Sequence, residues 1–203
     1  MYTTERLGTD AYGLVRAAEL LNGGEIVAIP TETVYGLAAL PKNAHKLNAV
    51  KGSAPDKPIT CLADDALSVY YTVSVLAEPE IAVPMFAKDL LESGVTAIFD
   101  VDGLSRGYRI PQNWVAQELL EQTGIVLACT SANMSGGAPA VDADEVMRVF
   151  GGRIAAIVDG GRCEHGIASA VVDFTVDPPN LIRAGVGLEP GELERIYKLY
   201  ANR

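Results

Sequence analysis

A chain of 203 residues, 49% of them hydrophobic, is long enough to bury a sizeable core and suits a single domain spanning residues 1–203. A formal net charge of −10 argues against a broad nucleic-acid-binding face, and three cysteines without C-x-x-C spacing argue against a disulfide scaffold and for free thiols. No apolar stretch reaches the ~18 residues needed to span a bilayer, no secretory h-region follows Met1, and His45 and His165 form no metal-ligand pattern, so a soluble cytoplasmic protein without a membrane partner is expected.

In chain order, Thr9-Asp10 caps a helix whose apolar face carries Leu14, Val15, Ala18 and Leu21, and Gly23-Gly24 ends it. A buried strand is expected over Glu25–Ile29, a short helix from Asn43 to Val50, and a second strand from Pro58 to Leu62. Helices follow over Asp64–Val73 and Glu78–Leu91, the latter bent or restarted at Pro84. The β-rich run Val95–Val101 and the segment Gly107–Ile110, joined through the short link Asp102-Gly103-Leu104-Ser105, predict an antiparallel pair. A helix then runs to Thr123 on a stripe of Trp114, Val115, Leu119 and Leu120, with the single tryptophan expected in the core. Asp142 and Glu145 form a capping box for a helix over Ala143–Phe150. Ile154–Val158, Ala170–Phe174 and Asn180–Arg183 read as strands and Glu192–Tyr200 as a final helix. This order is mixed rather than strictly alternating, so the expected fold is α/β: a twisted open sheet with parallel and antiparallel pairs and flanking helices.

Two stretches carry chemistry. The run Ile26–Ile29 stops at Pro30 and opens into Thr31, Glu32, Thr33 and Tyr35, a strand end delivering hydroxyls where α/β proteins bind ligands. The run Ile125–Cys129 likewise opens into Thr130-Ser131-Ala132-Asn133-Met134-Ser135-Gly136. Hydroxyl and amide donors there, with Gly136-Gly137 admitting close backbone approach, suit phosphate oxygens. Between them, Lys51 and the turn through Pro58 can fold back toward the same hydroxyls. Lys51 would add a point charge and Arg183 a planar fork able to bridge two oxygens. Neither G-x-x-x-x-G-K-[ST] nor G-x-G-x-x-G occurs, so a bound nucleotide would be held by another construction. Read alone, Thr130 and Ser169 fit ordinary strand-end and turn chemistry, whereas Arg109 in an apolar strand is harder to explain as surface charge.

With P-T-E-T-V-Y-G-L, S-A-N-x-S-G, Arg109-Ile110-Pro111, Ser169-Ala170-Val171-Val172-Asp173 and Leu181-Ile182-Arg183-Ala184-Gly185 in this order, the sequence resembles the YrdC-type L-threonylcarbamoyladenylate synthases. The resemblance implies a YrdC-like sheet with a concave ligand-binding face. It also implies synthesis of threonylcarbamoyl-AMP and pyrophosphate from L-threonine, bicarbonate or CO2, and ATP with Mg2+, in service of tRNA adenosine modification. Carried over residue by residue, Lys51 is the catalytic cation, and Lys51, Ser131, Asn133 and Arg183 hold ATP. Arg109 would grip the threonine carboxylate, and Thr31, Thr130 and Ser169 its hydroxyl, amine or carbamate. Proteins of tRNA modification would be its partners, and direct contact with tRNA stays open.

The chain departs from the family pattern in places. Ser53 stands where the family has arginine in K-x-R, Glu92-Ser93-Gly94-Val95-Thr96 replaces a P-G-P-L-T turn, and Ala170 replaces the threonine of S-T-V-V-D. These departures motivate the alternative of a non-catalytic nucleotide- or RNA-binding paralogue.

Overall fold

The computed structural model describes residues 3–76 and 84–201. In chain order they form β1 (Glu5–Leu7), α1 (Ala11–Asn22), β2 (Val27–Ile29), β3 (Gly36–Ala39), α2 (Ala44–Lys51), β4 (Thr60–Leu62), α3 (Ala66–Leu76), α4 (Phe86–Glu92) and β5 (Thr96–Val101). There follow β6 (Leu104–Arg109), α5 (Trp114–Thr123), β7 (Leu127–Ser131), α6 (Ala143–Phe150), β8 (Ala156–Val158), β9 (Val171–Asp173), β10 (Asn180–Arg183) and α7 (Glu192–Ala201). The expected mixed α/β fold is present. The first part of the helix expected over Glu78–Leu91 lies outside the described residues, and α4 accounts for its end.

The chain divides into two compact units, one of Met1–Asp64 with Pro111–Ile167, the other of Asp65–Ile110 with Ala168–Arg203. In the first, β8 runs parallel to β1 and β2, while β2–β3, β3–β7 and β7–β4 are antiparallel. Alternation along the strands builds two cores. Val27, Ile29 and Ala38 meet Leu14, Leu21, Val115 and Leu119 of α1 and α5. Ala28, Leu37 and Ala39 meet Leu47, Val146 and Phe150 of α2 and α6 on the other face. Helix entry follows the polar caps: Asp10 accepts from the Gly13 amide at 2.8 Å and Asp142 from that of Glu145 at 2.9 Å. The capping box closes one residue early, since the Glu145 carboxylate accepts from the Val141 amide at 2.9 Å.

In the second unit β5 pairs antiparallel with β6 and parallel with β9, and β10 lies antiparallel to β9. Its core is aromatic: Phe99 stacks on Phe174 with centroids 5.3 Å apart, and Phe86 touches Phe174 at 5.7 Å and Tyr200 at 5.1 Å.

Two expectations need correction. Trp114 is not a core residue. It is 60% exposed, because the buried face of α5 is Val115, Ala116, Leu119 and Leu120, and the residue just after the Asn113 cap projects off that face. Val15 is likewise 49% exposed, its place on the buried face of α1 taken by Ala17. Two strands, β1 and β3, were not anticipated.

Candidate active site

The antiparallel pair β3–β7 sets Gly36 opposite Ser131 and Leu37 opposite Thr130, which brings the ends of the two motif-bearing strands side by side. Gly36 is required for this register, since a Cβ there would sit 2.5 Å from Cys129 Sγ. Beyond the pair, the Ala132 amide donates to Tyr35 O at 2.8 Å and the Tyr35 amide to Ala140 O at 2.9 Å, so the hydroxyl-rich loop is pinned by backbone bonds.

Lys51 closes α2 on this loop. Gly52 takes the left-handed conformation at the helix end (φ 64°), and Ser135 donates its amide to Lys51 O at 3.0 Å. The Lys51 side chain is buried, 3% exposed, and its Nζ donates to Ser131 O, to Asn133 Oδ1 at 3.1 Å and more weakly to Ser131 Oγ at 3.4 Å. Asn133 is held in turn: its Oδ1 also accepts from Ser131 Oγ at 2.6 Å, and its Nδ2 donates to Met134 O and Gly137 O. Three predicted residues, Lys51, Ser131 and Asn133, therefore form one cluster. The ammonium's partners there are uncharged oxygens, and burial, with Lys57 adding repulsion, lowers its pKa from 10.5 to about 8.

Thr31 is placed differently. Its hydroxyl, 2% exposed, donates to Val34 O at 2.6 Å and accepts from the Thr33 and Val34 amides at 3.3 Å, serving its own turn. Thr31 nevertheless lines a hollow of about 270 Å³ with Pro30, Glu32, Asn113, Trp114 and Cys163. Thr130 is half-buried near the end of β7. Two residues of the same motif carry structural duties that sequence reasoning passed over. The Glu32 carboxylate accepts from the Gln112 amide at 2.9 Å and its carbonyl from the His165 amide at 2.9 Å, while buried Tyr35 donates from its hydroxyl to Gly161 O at 2.9 Å. Burial pushes the Cys163 thiol upward in pKa.

The second unit gathers Arg109, Ser169 and Arg183. Arg109, 8% exposed, donates from Nε to Gly94 O at 3.0 Å, and Ser169, 4% exposed, shares a 2.9 Å hydroxyl bond with Thr96. Arg183 donates from Nε and NH2 to Ser169 O at 3.1 and 2.8 Å. Burial and the Arg109 charge both lower the Arg183 pKa, so the guanidiniums lie close enough to repel. Thr96 was missed because a threonine in a β-rich run reads as strand propensity alone.

Among the described residues no group of three His, Cys, Asp or Glu side chains could hold a metal, and no helix is long and apolar enough to cross a membrane. Among the described residues Cys61, Cys129 and Cys163 form no disulfide bond.

Comparison with known proteins places this geometry in a family. Residues 19–185 match the Sua5/YciO/YrdC family model, described as "Telomere recombination". Threonylcarbamoyl-AMP synthase of Bacillus subtilis is 33% identical over 95% of the chain and 59% of its own length, and that of Pyrococcus abyssi 35% identical over 89% and 56%. The chain thus spans less than two thirds of the length of these relatives. The crystal structure of P. abyssi Sua5 complexed with L-threonine superposes with a TM-score of 0.81 at 28% identity, over 95% of this chain and 60% of that one. A fold shared with the Sua5 structure, a family match across most of the chain and identities above 30% lead to one conclusion: the chain belongs to the Sua5/YciO/YrdC family.

Proposed function

We propose that the chain is an ATP-dependent L-threonylcarbamoyladenylate synthase, working toward tRNA adenosine modification. The observation that carries this reading is the buried Lys51 ammonium among the neutral oxygens of Ser131 and Asn133. A desolvated cation whose partners in this cluster carry no charge is a site for an anion, here the phosphates of ATP. The names of the relatives and the threonine bound to P. abyssi Sua5 support the rest.

In this reaction the threonine amine adds to CO2 with loss of a proton to solvent, or condenses with bicarbonate with loss of water, to give a carbamate. A carbamate oxygen then attacks the α-phosphorus, the bond to the bridging oxygen breaks, and pyrophosphate leaves. No side chain becomes covalently attached, so catalysis is positioning plus charge neutralisation. Lys51, with Ser131 and Asn133, would hold the phosphates and stabilise the charge that builds there, and Arg183 would add a bidentate phosphate contact. Arg109 would take the threonine carboxylate, with Ser169, Thr31 and Thr130 orienting the remaining polar groups. Mg2+ would enter with ATP, ligated by phosphate oxygens and water, and would offset phosphate charge; the hydroxyl, amide and carbonyl oxygens beside Lys51 fit that hydrated complex.

The test is pyrophosphate release by purified protein supplied with ATP, Mg2+ and bicarbonate. Release that depends on threonine and saturates with it is the expected result. Calorimetric ATP binding without threonine-dependent product would instead leave a nucleotide-binding paralogue.

A further inference from the structure

Trp114 is the only tryptophan of the chain, and its indole stands 60% exposed instead of joining the core that α5 helps to build. It forms one wall of a second hollow, about 630 Å³, whose other walls include Asp64, Gln112, Gln117, Glu118 and Glu121. Among the described residues no lysine or arginine lines this hollow, and three carboxylates do. Glu118 accepts from Gln122 at 2.6 Å, while the carboxylates of Asp64 and Glu121 have no ion-pair or hydrogen-bond partner among the described residues.

Residues 114, 117, 118 and 121 recur at helical spacing, so they form one outward stripe of α5. From Trp114 to Glu121 the helix rises by roughly 10 Å. About three residues of extended chain cover that length, which places two alternate side chains over the indole and the glutamates. A tryptophan face attracts guanidinium and ammonium groups, and the carboxylates beyond it complete the charge match. The acids cannot act as a metal cage, since no group of three ligating side chains converges among the described residues, and they repel phosphate-bearing nucleic acid and anionic lipid. Gln117 spends its amide on Pro111 O at 2.7 Å, which leaves its carbonyl oxygen to accept a backbone N–H.

From these observations we propose that the Trp114 groove along α5 docks an extended segment of a partner protein with arginine or lysine at alternate positions. The inference is independent of the synthase reaction, because none of these groove residues holds substrate in that reading.

The lone tryptophan makes its own assay. Titration with a short synthetic peptide alternating arginine and glycine should change Trp114 emission saturably, and a glutamate–glycine peptide should not. The double variant Glu118→Gln/Glu121→Gln should weaken the arginine peptide roughly tenfold, the scale of two exposed ion pairs. Trp114→Ala, followed by anisotropy of a labelled peptide, should weaken it similarly. Circular dichroism melting of the variants controls for folding, because all three positions face outward. An unchanged emission spectrum, equal affinity in wild type and the double variant, or spermine binding as tightly as the peptide would each overturn the proposal.

Discussion

Lys51 shows how a single buried cation can be held ready for an anion. Its ammonium has exchanged water for Ser131 O and Asn133 Oδ1, and the cost of burial appears as a pKa of about 8. Replacing it by alanine should lower threonine-dependent pyrophosphate release by ~100-fold, the size of one preorganised electrostatic contact. An unchanged rate would remove the phosphates from this cluster. Its titration acts with opposite signs on stability and activity. Between about pH 8 and 10.5 the unfolded chain keeps a proton that the folded chain has released, so the Lys51 contribution makes folding stability rise with pH over that window. Catalysis should fall over the same window, since a neutral amine no longer neutralises phosphate. Chemical denaturation and rate measurements across that range, with Lys51→Met as reference, test both signs together. Two residues on, Ser53 has a buried hydroxyl without a hydrogen-bond partner among the described residues. If it marks a lost guanidinium, Ser53→Arg should raise turnover by meeting the anion that Lys51 meets. Turnover at or below wild type would mean that the turn serves a different contact.

Elements were legible where local chemistry writes their ends. Asp10 and Asp142 announced α1 and α6 because a cap satisfies amides two or three residues away, entirely within the segment being read. Glu5–Leu7 was illegible because two charged residues precede its single leucine and its partner β8 lies far along the chain. Gly36–Ala39 lacks the β-branched and aromatic residues that signal a strand, being made one by burial between β2 and β7. Within the candidate site, Ser131 and Asn133 stood out as polar groups after an apolar run, and Lys51 as the cation after a short helical pattern. The family resemblance singled out Ser169 and Arg183 separately, but their pairing, and that of Ser169 with Thr96, joins segments apart in sequence and was not legible. The β3–β7 register that supports the Lys51 cluster depends on an absent side chain. Gly36→Ala should destabilise the fold by about 1–3 kcal/mol through the clash with Cys129 Sγ. Adding Cys129→Ala should recover a measurable part of that loss in a double-mutant cycle. Additive losses in urea melts would show that the sulfur contact does not set the register.

At the scale of the whole molecule, a chain of net charge −10 is read here as a binder of the ATP polyanion. The net charge and the proposed ATP binding are compatible because they operate at different ranges. The summed field acts on an approaching ligand over distances that salt screens, the Debye length being about 10 Å at 0.1 M. The Lys51 contact acts inside a desolvated cluster, where screening is weak. Salt should therefore relieve the long-range repulsion more than it weakens the bound state. The association rate of Mg2+-loaded ATP should rise, or hold level, as ionic strength goes from about 0.02 M to about 0.15 M. A basic peptide at the Trp114 groove should behave in the opposite way, because there the same field attracts and salt removes the attraction. Stopped-flow measurements with both ligands on one preparation separate the two cases. A steep fall in the ATP association rate with salt would mean that basic surface steers the nucleotide, and the division between a repelling exterior and an attracting interior would have to be given up.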